Sequence, residues 1–339
     1  MKLIDNTGRQ FLPQMVAEVA TGNVIWVSAS NGSDTFGLAG RLDRPFATLT
    51  AAKTAASSGT TIIVLPGTYT DSDIAKNGVN WHFLIGAVVN RASGTSNAIF
   101  EVGSGMTFKV TGDGDFTNTA SGTTSYFINV TAGSSTIDIR CRAIVSNSSC
   151  IRVAVSSIVK VTADSITSNN AGSAVEVSGS GTVEVRANTL DGYSSDAVYV
   201  TAGTALIVAD AISSFAGRGV RVTGGTLTVT AREIRSNQNH GLEYGGGDVT
   251  VNGSRIVTTW SSTTSRAVYV SGGPTSGAAT FRLVRCILIA KAGVSTASIE
   301  GVTPARPVGF YAECVVNIGV GNFITGQIYP TLKADTNVN

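Results

Sequence analysis

The stretch GRGVRVTGGTLTVTAREIRSNQNHGLEYGGGDVTVNGSRI, Gly217 to Ile256, repeats itself at a step of 22 residues, from 220 to 242 and from 234 to 256. Val220 and Val222 recur as Leu242 and Tyr244, Leu227 and Val229 as Val249 and Val251, and Ile234 as Ile256. A glycine-rich turn sits at the same place in each copy. A period of this size constrains the fold more than any local propensity. Each repeat is one unit that cannot bury its apolar side alone, so it must stack on its neighbours.

The pattern extends outward in both directions. A first apolar pair is read from Phe100/Val102 through Val175/Val177 to Val268/Val270. A second runs from Phe108/Val110 through Val183/Val185 and Leu206/Val208 to Phe281/Leu283, and a third position from Phe116 through Ile212 to Leu288. The pairs alternate with period 2, which is the period of a strand. Coils stacked at ~4.8 Å would pair every backbone group and close a continuous core. A β-propeller, at about 40 residues and four strands per blade, fits worse. The sequence thus predicts an all-β fold. It is a right-handed parallel β-helix with three strands per coil of about 22 residues and at least eight coils, its hand following the usual hand of parallel crossovers.

Composition excludes several classes. Charged residues make up 14% and the formal net charge is +2, which gives no electrostatic case for nucleic acid or an anionic membrane. No apolar run approaches the roughly 18 residues of a membrane helix. The four cysteines, Cys141, Cys150, Cys286 and Cys314, lie far apart without ligand spacing and read as free thiols in small apolar niches. No cofactor is expected. The start, MKLIDNTGRQFLPQMV, carries acids and glycine where a signal peptide needs an apolar stretch, so synthesis in a cytoplasm is expected.

Upstream of the coils, RPFATLTAAKTAASSGTTIIVLPGTYT predicts an alanine-rich helix from about Pro45, a stop at Gly59 and a buried strand at Ile62–Leu65. The open end of a solenoid exposes core and strand edges, so this helix is expected to cap it. The segment Val24–Thr70 resembles the lead-in of the pectin-lyase-like right-handed β-helix superfamily. The matching residues are Asn31, Gly32, Ser33, Asp34, Pro45, Phe46, Thr48, Leu49, Ala52, Gly59, Pro66, Gly67 and Tyr69. That superfamily spans lyases, hydrolases, epimerases and viral tailspikes, so the resemblance specifies fold and leaves chemistry open. IDNTGRQFLPQMV resembles the short N-terminal segments of phage tail proteins. The expected organisation is an attachment segment over 1–23, the lead-in and capping helix over 24–70 and the β-helix over 71–300. Residues 301–339 then form a final irregular coil or an oligomerisation segment.

Chemistry is sought on the outward columns. The residue between each first apolar pair reads Glu101, Asn129, Arg152, Glu176, Tyr199, Arg221, Glu243, Tyr269. Arg152 with Glu176, and Arg221 with Glu243, would form opposite-charge rungs. Alternatively Tyr199, Tyr269, Arg221 and Glu176 form a carbohydrate face. A second column reads Arg142, Asp164, Asn188, Asp210, Arg232. Asp164 and Asp210, two coils apart at ~9.6 Å, reach the upper edge of the window for inverting glycoside hydrolysis. An ion and amide ladder capped by the arginines is the competing expectation, and it would depress the carboxylates rather than raise a general acid. Glu176 and Glu243, three coils apart at ~14 Å, are too distant to act as a pair. His240 beside Glu243 is a further acid–base candidate, against the plainer expectation of a solvated turn histidine. No dense acidic cluster of the calcium-lyase kind is present; GDGD at 112–115 reads as a turn.

The expectation is a phage virion protein, a tail fibre, tailspike or baseplate appendage. It would be homotrimeric, joined to other tail or baseplate proteins through its N-terminus and bound to host-surface polysaccharide. The alternatives are a polysaccharide hydrolase or lyase on the same fold, secreted or in a virion, and a bacterial surface adhesin.

Overall fold

A computed structural model describes residues 23–91, 98–120, 125–259, 265–271, 281–290, 299–301 and 310–317. The expectations for residues 1–22 and 318–339, and for the Cys314 thiol, lie outside what it describes. The chain forms a parallel β-solenoid of about nine turns. One side is a sheet of nine three-residue strands. It runs in unbroken register from Phe100 through Ile128, Ile151, Val175, Val198, Val220, Leu242 and Val268 to Ile299. These are the columns read from the sequence, with one rung added. The Phe310–Asn317 strand pairs with Phe281–Ala290, so the ladder continues past residue 300.

The second and third apolar runs are not separate strands in the central coils. They fuse into strands of 11 residues, such as Ile158–Ser168 and Thr226–Ser236. Within them the alternation slips phase. Val159, Val161 and Ala163 face in, Asp164 and Ser165 are both at least partly exposed, and Ile166 and Ser168 face in again. The ladder skips Asp164, which marks the corner. One expectation fails here. Leu206 and Val208 face outward, and Ala205 and Ile207 fill the core, aligned with Val183 and Val185. In the run ALIVA either frame looks apolar, and the neighbouring coils decide it. A one-residue slip would turn every side chain to the wrong face.

The main core is one column of buried apolar side chains, its valines, leucines, isoleucines and phenylalanines each worth about 1.5–3 kcal/mol when fully buried, and Val24, Trp26 and Ile63 form a small second cluster. Its N-terminal end is aromatic, with Phe83, Phe100, Phe116 and Phe127 packed edge-on or tilted at centroid distances of 4.8–5.9 Å. Cys141, Cys150 and Cys286 are buried free thiols, and burial pushes the Cys141 and Cys150 thiols well up.

A polar column runs inside. Asn118, Ser146, Ser168, Ser214, Ser236 and Thr258 occupy equivalent positions, buried to 2% exposure or less. The serines and Thr258 donate back to a carbonyl in the turn of the preceding coil: Ser168 Oγ to Ser148 O at 3.0 Å, Ser214 Oγ to Ser195 O at 2.7 Å, Ser236 Oγ to Gly217 O at 2.7 Å. The turns thereby lose no hydrogen bonds on entering the interior. Gly192 interrupts the column. A Cβ there would lie 2.6 Å from Ser195 O, so the turn itself fills the space. On the other side, Gly203, Gly225 and Gly247 stack with φ of 71°, 76° and 85°, a conformation that favours glycine.

At the N-terminal end, β1 (Val24–Val27) pairs in parallel with β2 (Thr61–Val64). Between them lies α1 (Leu49–Ala55), which buries Leu49 and Ala52 in the core cluster. The helix starts four residues later than Pro45. Thr48 is its N-cap, accepting from Ala51 N at 3.1 Å, while Pro45 and Phe46 lie in extended chain bonded to Ser33 and Trp26. The lead-in residues explain themselves physically. Asp34 accepts from the Ala47 and Thr48 amides and the Thr48 hydroxyl, and Asp71 accepts from Thr50 N and Oγ1, together gripping the positive end of the helix. Lys76 Nζ donates to Lys53 O at 2.7 Å and Ala56 O at 2.6 Å, closing the other end. Tyr69 Oη donates to Leu65 O at 2.8 Å, and burial pushes the phenol up to about 12.

Ser236→Ala should leave the Gly217 carbonyl and the Asn239 amide without their partner and cost about 1–3 kcal/mol in urea or thermal unfolding. Ser236→Thr, which supplies the group found one coil on at Thr258, should lose much less.

Candidate functional site

The three-residue strands present the first outward column as expected. Arg152 sits over Glu176, Tyr199 follows, then Arg221 over Glu243, then Tyr269. Three residues before each lies a second outward row, of which the sequence reading had singled out only His240: Tyr126, Ser149, Ser173, Asp196, Arg218, His240 and Arg266. The pattern was visible, since Asp196, Arg218 and His240 recur at the same 22-residue step. As a row it was missed because only residues flanked by apolar neighbours were tracked as a column.

The two rows interlock diagonally, each side chain reaching one coil ahead. Ser149 Oγ donates to Glu176 Oε2 at 2.6 Å, and Arg152 Nε lies 3.5 Å from Glu176 Oε1. Arg218 Nε donates to Glu243 Oε2 at 2.5 Å, and Arg221 Nε lies 3.5 Å from Glu243 Oε1. Asp196 Oδ1 accepts from the Arg218 amide at 2.8 Å and lies 3.6 Å from its guanidinium, while Oδ2 is 3.9 Å from Arg221. Two carboxylates with side chains only 6% exposed are thus clamped between two arginines across three coils. Burial nevertheless holds the Asp196 carboxyl above its ordinary value, outweighing its amide bond and both guanidiniums; nearby Glu243 adds to the rise. The arginines also cover aromatic rings, Arg221 at 5.0 Å from the Tyr199 centroid and Arg152 at 5.5 Å from Tyr126.

His240 is not a solvated turn residue. It is 8% exposed, its ring stacks on Tyr269 at 4.3 Å, and Nδ1 accepts from the Arg266 amide at 3.1 Å. That bond uses Nδ1 as an acceptor. Glu176 and Glu243 are three rungs apart, as read.

The Asp164 column behaves differently. Asp164, Asn188, Asp210 and Arg232 share the corner position, and all four are exposed. The expected ion ladder is absent. Arg142 turns to Asp115 in a bidentate pair, and none of Asp164, Asn188, Asp210 and Arg232 makes an ion pair or a side-chain hydrogen bond among the described residues. These residues form one ridge of a furrow of about 600 Å³ along the axis. The opposite ridge is Thr162, Arg186, Val208, Thr230 and Asn252, and an alanine row, Ala163, Ala187, Ala209 and Ala231, is the floor.

Among the described residues, no group of three or more His, Cys, Asp or Glu is placed to hold a metal ion, and no helix is long and apolar enough to cross a membrane. Comparison with known proteins finds no protein family, no curated protein and no solved structure that matches this chain.

Arg218→Ala should leave Asp196 and Glu243 with Arg221 as their one guanidinium and cost about 2–3 kcal/mol in chemical unfolding, below the usual range for a broken buried pair because Arg221 remains and Arg218 is itself 27% exposed. Asp196 contributes in the opposite pH direction from a surface carboxylate. Its folded value is raised, so its contribution is full below the ordinary value near 3.8 and is lost as pH rises through the folded value. Asp196→Asn should therefore be neutral or stabilising at pH 7 and remove that acid-side gain, read as a flatter curve of unfolding free energy against pH.

Proposed function

We propose that this chain is a stiff β-solenoid that binds surface polysaccharide without cleaving it, as the shaft of a phage tail fibre, tailspike or baseplate appendage. The observation that carries the reading is the state of the short-strand face. Every acid there that chemistry would need is already committed. Glu243 is held by Arg218 and Arg221, Glu176 by Arg152 and Ser149, and His240 is stacked on Tyr269 and bonded to the Arg266 amide. A general acid must be free to give up a proton and return to it, and these groups are held by their partners. A fixed array suits recognition. Tyr199 and Tyr269 keep partly exposed rings, Arg221 and Glu176 keep partly exposed polar ends, and none needs to move to receive a sugar ring and its hydroxyls. Homotrimer formation and attachment to other tail proteins through residues 1–23 belong to the same proposal.

The purified chain should bind members of a panel of capsular and O-antigen polysaccharides in affinity electrophoresis, and Tyr199→Ala with Tyr269→Ala should weaken that binding at least about tenfold. Light scattering should return three times 34.7 kDa. Release of new reducing ends or unsaturated uronate, abolished by Asp164→Asn or Asp210→Asn, would replace binding with hydrolysis or lysis as the function.

A further inference from the structure

His240 and Tyr269 meet on the short-strand face, and the histidine is fixed there from two directions. Its ring lies against Tyr269 at 4.3 Å between centroids and 21° between planes, and its Nδ1 accepts from the Arg266 amide at 3.1 Å. A backbone amide only donates, so this bond takes up the Nδ1 lone pair. Both contacts come from the coil that follows. The charged and titratable groups at the neighbouring positions are Arg218 on the coil before, Glu243 on the same coil, and Arg266 and Tyr269 on the coil after, with Asp196 one coil beyond Arg218. Each of the two carboxylates already faces both Arg218 and Arg221.

We infer that His240 is a positioning residue for Tyr269 and gives the binding face an acid release: the imidazole holds the tyrosine ring at neutral pH and lets it go on taking up a proton. A proton from solvent on Nδ1 uses the lone pair that the Arg266 amide needs. Two N–H groups then face each other, and the ring is driven off that position. The buried amide loses its acceptor at the same moment. The protonated ring is also a third cation in one row, between Arg218 and Arg266 on rungs ~4.8 Å to either side, and like charges so placed repel. The carboxylates nearby are engaged by arginines and offset this only in part. Histidine ordinarily gains its proton at about pH 6.5, so the change falls on the acid side of neutral. Tyr199 has a different support, Arg221 at 5.0 Å from its ring, and the release is confined to the Tyr269 end of the face. The inference rests on the polysaccharide-binding reading above and adds the regulation of that same site.

The test uses the full chain with isotope-labelled histidine and tyrosine, followed by nuclear magnetic resonance from pH 7.5 to pH 4.5. The chain has two histidines, so His82→Gln assigns the His240 nitrogens, and Tyr269→Phe assigns the Tyr269 ring. His82 stands on the long-strand sheet, 2.9 Å from the Thr111 hydroxyl, well apart from this face in the fold. The His240 nitrogens should pass from the unprotonated to the protonated pattern, and the Tyr269 ring signals should move with them while far-ultraviolet circular dichroism holds. In affinity electrophoresis with the capsular and O-antigen panel, affinity should fall at least about tenfold over the same interval. His240→Gln keeps an oxygen that can accept from the Arg266 amide and takes up no proton, so it should bind at pH 7.5 and stay within about twofold at pH 4.5. Asp196→Asn should keep the acid loss. The inference is overturned if the Tyr269 signals stay fixed while His240 is protonated, if His240 takes up no proton by pH 4.5, if His240→Gln keeps the acid loss, or if Asp196→Asn removes it. If no polysaccharide binds at pH 7.5, the function proposal falls, and the coupled resonances still decide whether the histidine holds the tyrosine.

Discussion

Everything in this molecule depends on the parallel backbone ladder between successive coils. The ladder fixes the rise along the axis, and it makes residues a coil apart into neighbours. Once nine short strands run in register, each position in the repeat becomes a column, and a column has one environment throughout. Valine and isoleucine columns are core because their positions face inward. The alanines beside the corner face inward with them. The interlocked charges follow from the same geometry, since side chains three residues apart on one coil meet those of the next only when no coil slips.

This explains what was legible beforehand. The first apolar column and its outward residues were placed correctly because their alternation is unambiguous and their step nearly constant. The ion pairs Arg152–Glu176 and Arg221–Glu243 followed directly. Leu206 and Val208 were misread because five consecutive apolar residues carry no phase, and only contact with Val183 and Val185 sets it. The fused central strands were read as two because the phase slip at Asp164 looks like an end. The helix start moved from Pro45 to Leu49 because the Thr48 side-chain cap, together with the grip of Asp34, decides where the first turn closes.

The charged cluster was harder to see for a different reason. Asp196 and Arg218 sit in turns, where sequence alone suggests solvated residues. Their burial is produced by neighbours above and below, the property that a one-coil reading lacks. His240 shows the same error in sharper form, as a turn residue that the stacked coils enclose. Conversely, the corner column looked like an ion ladder on spacing alone. It failed to become one because Arg142 has a closer acid in Asp115, leaving its own column.

Gly192 has a consequence for folding as well as for packing. A chain of near-identical coils faces a hazard that an ordinary domain does not. It can assemble one whole coil out of step and still satisfy most of its ladder. The break in the hydroxyl column makes such an error costly, because a serine shifted into that place would meet the turn backbone at Ser195. The aromatic end of the core and the alternating charges of the outer face act alike, as marks by which a coil knows its number. A perfectly regular version of this protein would be stronger at every rung and less certain of its order.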